Sequence, residues 1–128
     1  MRRGFGVGLV GLLVALLPRC TSDPVDDGIS QMDWQIADEC SDGRGIEVRF
    51  FDTNNGRIFP SSTEVFVLSA GATSTFRISC TTGDQICYGA VTDPPDGGHW
   101  GVGISNSFGC DNCCFVCDDT RASVGLGC

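Results

Sequence analysis

The chain has 128 residues, with 8 basic side chains, 16 acidic side chains and 9 cysteines. Beyond residue 19 it has no lysine and five arginines against all 16 acids, so this part has 11 more negative than positive charges. Binding to phosphate groups requires a basic surface. The composition therefore argues against nucleic acid as a partner.

The first 19 residues have the pattern of a secretory signal peptide. Two arginines follow the initiator methionine, and an apolar run from residue 4 to residue 17 precedes Pro18. A basic segment followed by a short apolar segment is typical of an export signal. The apolar run is shorter than the ~20 residues that a membrane-spanning helix needs. We predict a signal peptide at residues 1–19 and export of the chain to the outer membrane, the periplasm or the extracellular space.

Cys20 follows this segment and is a candidate for lipidation. In bacterial lipoproteins the first mature cysteine carries the lipid and small residues precede it, whereas here Pro18 and Arg19 precede Cys20. The alternative is cleavage after Ser22, with Cys20 and Ser22 at the two small-residue positions of the cleavage site. We favour lipidation at Cys20, and we expect contact with a membrane only through this anchor.

Residues 20–38 are polar and acidic, and we predict a flexible linker or tether there. Trp34 and Ile36 are the sizeable apolar residues near its end, and we expect them to contact the folded domain. This organisation places a cysteine-rich β domain at residues 39–128.

From residue 46 onward, apolar and polar residues alternate in short runs separated by Gly, Asn, Asp and Pro. Such alternation of β-branched and aromatic residues is typical of strands, and Asn55-Gly56 between two apolar runs indicates a hairpin. The predicted fold class is all-β: a small, disulfide-stapled sandwich or partial barrel of about six short strands with a cysteine-rich C-terminal segment. An irregular cysteine-rich fold is the alternative. The predicted strands cover residues 47–51, 57–59, 64–68, 73–80, 86–91 and 100–104.

Eight cysteines remain when Cys20 is set aside, and an even, dense set in a small exported domain is typical of a disulfide framework. Cys110-x-x-Cys113 and Cys114-x-x-Cys117 also have the spacing of zinc ligands and of redox motifs. Export favours disulfides over a metal, and the helix start that redox motifs occupy is not predicted here. We expect the adjacent Cys113 and Cys114 each to pair with a distant partner. The predicted disulfide cysteines are Cys40, Cys80, Cys87, Cys110, Cys113, Cys114, Cys117 and Cys128.

His99 is the single histidine, so a Ser-His or Cys-His catalytic site has to use it, and Ser105 and Ser107 are the nearest hydroxyl nucleophiles in sequence. The G-x-S-x-G pattern of a nucleophile elbow is absent. The many Asp and Glu residues offer carboxylate pairs for glycoside hydrolysis, but no spacing selects one pair. We predict no catalytic residue, and we keep a small secreted enzyme that uses His99 or a carboxylate pair as an alternative.

Aspartates on turns offer hard oxygen ligands for Ca²⁺. Asp93 and Asp96 flank a Pro-Pro turn, and Asp111 and Asp118 lie in and after the cysteine cluster. Asp, Asn and Gly are also the residues that tight turns require. We favour the turn interpretation, predict no metal site and no cofactor, and keep Ca²⁺ as a minor alternative.

Exposed aromatic side chains bordered by Asp and Asn suit the stacking of sugar rings, because an aromatic ring is apolar on its face and can carry a polar group at its edge. Trp100 and Tyr88, together with Asp93 and Asp96, are the ligand-binding residues that we predict. Burial of these rings in the core, with Trp34, is the alternative.

Three motifs stand out in the second half of the chain: Ile86-Cys87-Tyr88-Gly89-Ala90, Trp100-Gly101-Val102-Gly103-Ile104 and Cys110-x-x-Cys113-Cys114-x-x-Cys117. Together they resemble a class of exported, cysteine-rich, lipoprotein-like β domains of Gram-negative bacteria. The resemblance covers about residues 46–117, implies an envelope or secreted setting, and brings no catalytic or binding residue with it.

These observations predict an exported binding or interaction module that recognises a glycan or a protein at the cell surface through loops and exposed aromatic side chains. Besides the enzyme alternative, a structural envelope protein without a small-molecule ligand is the third hypothesis.

Overall fold

The computed structural model describes residues 28–128, which form nine β-strands and no helix. The predicted all-β class is confirmed. The predicted signal peptide, Cys20 and the first part of the predicted linker lie outside the described residues. Residues 28–128 contain no helix long and apolar enough to cross a membrane. The strands are β1 Ile29–Asp38, β2 Gly45–Asp52, β3 Ile58–Phe59, β4 Phe66–Leu68, β5 Thr73–Thr81, β6 Gln85–Asp93, β7 His99–Gly101, β8 Cys114–Val116 and β9 Arg121–Leu126.

Strand β1 is the central strand of the smaller of two sheets, whose strand order is β5-β1-β9. It pairs antiparallel with β5, from Ile29 opposite Thr81 to Ala37 opposite Thr73. On its other side it pairs in parallel with β9. Strand β1 is therefore hydrogen-bonded along both edges.

The prediction of a flexible linker at residues 20–38 is thus wrong for residues 29–38. The side chains of Met32, Trp34 and Ile36 point into the core and are at most 1% exposed. Each such burial contributes roughly 1.5–3 kcal/mol. Three large apolar side chains in strict alternation are enough to fix this segment as a strand with one buried face.

The larger sheet has the order β3-β2-β6-β7, with β4 also paired to β2 and β8 also paired to β6. The predicted hairpin is confirmed, because Phe50 lies opposite Phe59 and Phe51 lies opposite Ile58. Strand β2 pairs antiparallel with β6 along its whole length. Strand β6 is thus flanked by β2 on one side and by β7 and β8 on the other.

Two predicted strands are shorter in the structure. The run at 64–68 forms a strand only at β4, and the run at 100–104 only at β7. After β7 the backbone turns back over the sheet, with positive φ angles of 62° at Gly101 and 75° at Gly103. These are conformations that glycine adopts at little cost.

The two sheets pack against each other around Trp34. Its ring centroid lies 4.8 Å from that of Phe50 and 6.1 Å from that of Tyr88, and Phe115 approaches it edge-on at 5.2 Å. Aromatic pairs of this kind contribute about 0.5–1.5 kcal/mol beyond their burial. The architecture is therefore a small sandwich with an aromatic core.

Four disulfides pair the eight cysteines from Cys40 onward: Cys40–Cys128, Cys80–Cys117, Cys87–Cys114 and Cys110–Cys113. The second joins β5 of the smaller sheet to the residue after β8, and the third joins β6 to β8. The predicted disulfide framework is present. The expectation of a distant partner is wrong for Cys113, which pairs with Cys110 in the same turn.

Candidate binding site

Tyr88, one of the predicted ligand-binding residues, lies in the core. Its side chain is on the inner face of β6, only 8% of the residue is exposed, and this burial raises the pKa of its phenol. Trp34 is fully buried beside it. Because the smaller sheet covers this face, Tyr88 offers no exposed ring to a ligand, contrary to the prediction.

Trp100 is half-buried at the edge of the larger sheet. It lies opposite Ala90 in the β6–β7 pair and packs partly against the core. Its indole Nε1–H donates a hydrogen bond of 2.7 Å to the carbonyl oxygen of Gly127. The ring therefore keeps some surface, but its polar group is already engaged within the chain.

Asp93 and Asp96 flank a tight turn as predicted, and both are exposed. Asp96 forms an ion pair with Arg44. The hydroxyl of Thr92 closes the turn by accepting a hydrogen bond from the backbone N–H of Gly97 and donating one to a proline carbonyl. Among the residues described, no group of three His, Cys, Asp or Glu side chains could hold a metal ion.

His99 stacks on Phe108, with ring centroids 3.7 Å apart and planes inclined by 12°. Within residues 28–128 no hydrogen bond joins the His99 side chain to Ser105 or Ser107. Phe108 remains 49% exposed. Phe108 was not among the predicted ligand-binding residues, although it is an isolated aromatic residue in a Ser-, Asn- and Gly-rich loop.

The loop 102–109 lies against the outer face of the larger sheet. Val102 is buried there with Phe51 and Cys87 in a small second apolar cluster. A Cβ at Gly89 would overlap the carbonyl oxygen of Gly103, so the loop approaches β6 as closely as a backbone can. The absence of a side chain at this position of β6 is what allows this contact.

Arg49 clamps this loop to a second one. Its guanidinium donates to the carbonyl oxygen of Glu64 at 2.9 Å, and to the carbonyl oxygens of Ser62 and Ile104 at 3.2 Å each. A guanidinium offers five donors in a rigid fork, which suits such a three-way contact. Arg49 therefore holds the loop 102–109 next to the chain between β3 and β4.

A cleft of about 170 Å³ opens between the loop 102–109 and the turn that joins β2 to β3. It combines an apolar floor with a guanidinium, a carboxylate, a hydroxyl and an amide. The side chains that matter for the argument are Phe51 and Ile58, which form the floor, and Asp52, Arg57, Ser105 and Asn106 around it. Asn106 has a positive φ of 54° at the rim.

Asp52 is the buried carboxylate of this cleft. It accepts backbone N–H hydrogen bonds from Asn54 at 2.9 Å and Asn55 at 3.0 Å. Burial raises the pKa of Asp52, but these hydrogen bonds and one with Asp84 outweigh it, so the pKa is lowered overall. The hydrogen bond with Asp52 raises the pKa of Asp84, and burial and the Asp52 charge add to the increase. The two neighbouring carboxyl groups therefore have pKa values shifted in opposite directions, so Asp52 loses its proton at a lower pH than Asp84 does.

The cleft is suited to holding one polar group of a larger partner. Arg57 offers several donors, and Asn106 and Ser105 offer both donors and acceptors. The oxygens of the buried Asp52 are engaged within the chain and contribute negative charge beside Arg57. Pockets that enclose a whole drug-sized ligand measure roughly 300–1,000 Å³. A cleft of about 170 Å³ therefore accommodates a single ring or side chain.

A second depression, of about 240 Å³, lies on the outer face of the smaller sheet. It is lined by Gln35, Glu39, Ser123 and small neighbours, and the Glu39 carboxylate lies over Gly125. It is larger than the cleft, but it has neither an aromatic ring nor a cation. The cleft beside Arg57 is therefore the better candidate site.

Comparison of the chain with protein families, with curated proteins and with solved structures gives no match.

Proposed function

We propose that this chain is an exported binding module that recognises a glycan or a protein at the cell surface through the cleft and the loop 102–109. The observation that supports the proposal is that one loop contributes both Asn106 to the cleft and the exposed ring of Phe108. A single partner that contacts this face meets the apolar ring and the polar cleft together.

The rigidity of this face supports the proposal. Arg49 holds the loop through three hydrogen bonds, and the contact between Gly89 and Gly103 seats it on the sheet. A loop that is ordered before binding loses less conformational entropy when the partner arrives. Binding residues displayed on loops of a rigid scaffold are common in β-sandwich proteins.

The charge distribution indicates the chemistry of the partner. The chain is strongly acidic beyond residue 19, so a highly acidic partner is repelled. Arg57 provides a local positive charge at the cleft, beside the Asp52 carboxylate. The proposed partner group therefore carries hydroxyl or amide groups, or a single carboxylate, next to an apolar face.

Export, and lipidation at Cys20, are part of the proposal. They rest on the basic and apolar pattern of residues 1–19 and on the four disulfides, since such bonds form and persist in oxidising compartments. Intact-mass measurement of the mature protein from its own cells tests both. A diacylglyceryl increment on Cys20 is expected, whereas a mature chain that begins after Ser22 would contradict the lipid anchor.

Binding is tested with the purified protein on a glycan array and on intact bacterial cells, before and after protease treatment of the cells. Retention on the array identifies a glycan, and protease-sensitive retention on cells identifies a protein. Arg57→Ala and Asn106→Ala are each expected to weaken retention roughly ten-fold, which corresponds to the loss of about one hydrogen bond. Repeating the assay with a chelator tests the Ca²⁺ alternative.

Arg121→Ala is the matched control, because it removes the same charge from an exposed position on the smaller sheet, away from the cleft. It is expected to leave retention unchanged. The proposal fails if the wild-type protein is retained on neither surface, or if Arg121→Ala weakens retention as much as Arg57→Ala does.

A further inference from the structure

We propose that Cys110–Cys113 is an exchangeable disulfide, which a dithiol opens and an oxidised partner closes again while the rest of the fold persists. The proposal is independent of the binding function. It rests on the position of this bond in the fold and on the partial exposure of Cys110.

The four disulfides differ in the length of chain that each one closes. Cys110 and Cys113 are separated by 3 residues in sequence, whereas the other pairs are separated by 27, 37 and 88 residues. A disulfide stabilises a fold mainly by restricting the unfolded chain, and the effect grows with the length of the closed loop. The Cys110–Cys113 bond thus closes only the turn 110–113, and breaking this bond lowers the stability of the fold less than breaking any of the other three.

The contribution of a disulfide to stability also determines how easily that disulfide is reduced. Folding and reduction form a thermodynamic cycle, so the fold protects a disulfide from reduction by the amount that this disulfide stabilises the fold. The protection is smallest for Cys110–Cys113. Re-closure is also easy, because the two cysteines remain three residues apart whether or not the bond is present.

Cys110 and Cys113 also differ in their exposure to solvent. Cys110 is partly exposed, the two residues between the cysteines are exposed, and Cys113 is only 3% exposed. The Cys113 carbonyl oxygen accepts a hydrogen bond of 3.0 Å from the backbone N–H of Tyr88, which anchors that end of the turn to β6. Cys110 is the more exposed of the two residues, although it also packs partly against both apolar clusters. The proposed attack of a thiolate is therefore on Sγ of Cys110, with Cys113 as the leaving sulfur.

The exchange is balanced as follows. One thiolate of the dithiol attacks Sγ of Cys110, the Cys110–Cys113 bond breaks, and Cys113 leaves as a thiolate that takes up a proton. The second thiol of the dithiol then attacks the first dithiol sulfur, which is bonded to Cys110 in the mixed disulfide. This step releases Cys110 as a thiol. Two electrons pass from the dithiol to the protein, and the dithiol leaves as a disulfide. Reaction with an oxidised disulfide partner reverses these steps.

The test is a titration of the oxidised wild-type protein with dithiothreitol in native buffer. Samples are quenched in acid, alkylated and mapped by peptide mass spectrometry, and circular dichroism is recorded at each concentration. The expected result is a species labelled at Cys110 and Cys113 alone, with an unchanged spectrum, over a roughly ten-fold range of reductant. Oxidised glutathione is expected to restore the unlabelled protein.

Two outcomes overturn the proposal. One is first labelling at another pair, of which Cys40–Cys128 is the strongest competitor because Cys128 is exposed. The other is opening of all four disulfides together with loss of the spectrum. This titration needs no variant, so the result does not depend on whether a substituted chain folds.

Two single variants test which sulfur reacts. Cys113→Ser leaves Cys110 as the free thiol, and Cys110→Ser leaves the buried Cys113. Oxidised glutathione is expected to modify Cys110 roughly ten-fold faster than Cys113, because access limits exchange. Equal rates would contradict attack at Cys110.

Discussion

Arg49 and Arg57 have the same side chain but different surroundings. Arg49 lies in β2 and donates to three backbone carbonyl oxygens of two loops. Arg57 is exposed, lies over the ring of Phe59 at 5.2 Å from its centroid, and lines the cleft. We therefore expect the first arginine to matter for stability and the second for binding.

The first prediction concerns Arg49. We expect Arg49→Ala to lower the free energy of unfolding by about 2 kcal/mol, because three carbonyl oxygens lose a charged donor. We expect Arg49→Lys to recover only part of this, since an ammonium group does not span all three oxygens. Denaturant unfolding followed by tryptophan fluorescence measures both.

Arg57→Ala is the control for this prediction. An exposed cation–π contact is worth about 0.5 kcal/mol, so the unfolding midpoint is expected to change little. Equal losses for Arg49→Ala and Arg57→Ala would show that the clamp does not stabilise the two loops.

The second prediction concerns the carboxyl pair of Asp52 and Asp84. The lowered pKa of Asp52 adds stability that is lost as the pH falls through that value, and the raised pKa of Asp84 adds stability that is lost as the pH rises through it. Stability from the pair is therefore greatest between the two pKa values, around the ordinary aspartate range near 3.8.

Asp84→Asn tests this pH dependence, because an amide donates a hydrogen bond to Asp52 without releasing a proton. Relative to wild type, the variant is expected to gain stability as the pH rises from about 4 to about 8. Urea unfolding midpoints across this range provide the measurement. A difference between the two proteins that does not vary with pH would contradict the raised pKa of Asp84.

The site could be predicted from the sequence only in part, because the sequence gives the type of each residue but not its burial or its neighbours in the fold. The sequence identifies Tyr88 and Trp100 as aromatic residues in strands, but which face is covered depends on how the second sheet packs. Arg57 and Asn106 are distant in sequence but line the same cleft, and the fold of the loop over β6 brings them to it. Phe108, in contrast, could be recognised from the local sequence, because it is an isolated aromatic residue in a Ser-, Asn- and Gly-rich segment.

At the scale of elements, strand β1 shows how composition can hide periodicity. Its outward-facing positions include the exposed Gln31 and the partly exposed Asp33 and Gln35, and an acidic segment precedes it, so the region resembles a linker in average polarity. The alternation of Met32, Trp34 and Ile36 with these residues is nevertheless a regular strand pattern. Strands β8 and β9 were missed for another reason, because short strands among cysteines and glycines carry few alternating positions.

Strands β5 and β6 were predictable because their alternation is long and uninterrupted. In β5 the residues Ile78 and Cys80 are buried, and Thr75, Arg77 and Ser79 between and before them are exposed. The hairpin β2–β3 was predictable because Asn-Gly favours a tight turn. The loop 102–109 was not, because two glycines with positive φ end β7 early and no apolar pattern marks that change.

The third prediction tests the seating of this loop on the sheet. We expect Gly89→Ala to lower the free energy of unfolding by about 3 kcal/mol, because the added methyl group overlaps the backbone of Gly103 and displaces the loop. It is also expected to abolish the binding proposed for the cleft. Denaturant unfolding and the retention assay measure the two effects.

Gly109→Ala is the matched control at the end of the same loop. A Cβ at Gly109 meets no atom within 4 Å. The free energy of unfolding of the Gly109→Ala variant is therefore expected to differ from that of the wild type by no more than about 0.5 kcal/mol. Similar losses for both variants would mean that glycine content, and not the close approach of the loop, controls this region.

At the scale of the whole molecule, a disulfide connects two sheets that share no strand pairing. The two sheets are distinct hydrogen-bonded units, and they meet through apolar side chains around Trp34. Cys80–Cys117 joins β5 of the smaller sheet to the end of β8 in the larger one, and both sulfurs are fully buried. This bond therefore fastens the sandwich across its core.

The fourth prediction compares this bond with Cys110–Cys113. Replacing Cys80 and Cys117 together by alanine is expected to lower the free energy of unfolding by about 4 kcal/mol, from a longer loop in the unfolded chain and a cavity in the core. Replacing Cys110 and Cys113 together by serine is expected to cost about 2 kcal/mol or less, because the loop is short. Since a domain of this size is stable by only about 5–15 kcal/mol, the first loss is a large share of the total. Thermal and denaturant unfolding of the two double variants gives the order, and the reverse order would mean that local strain in the cysteine-rich turn, and not connection of the sheets, decides how much each disulfide contributes.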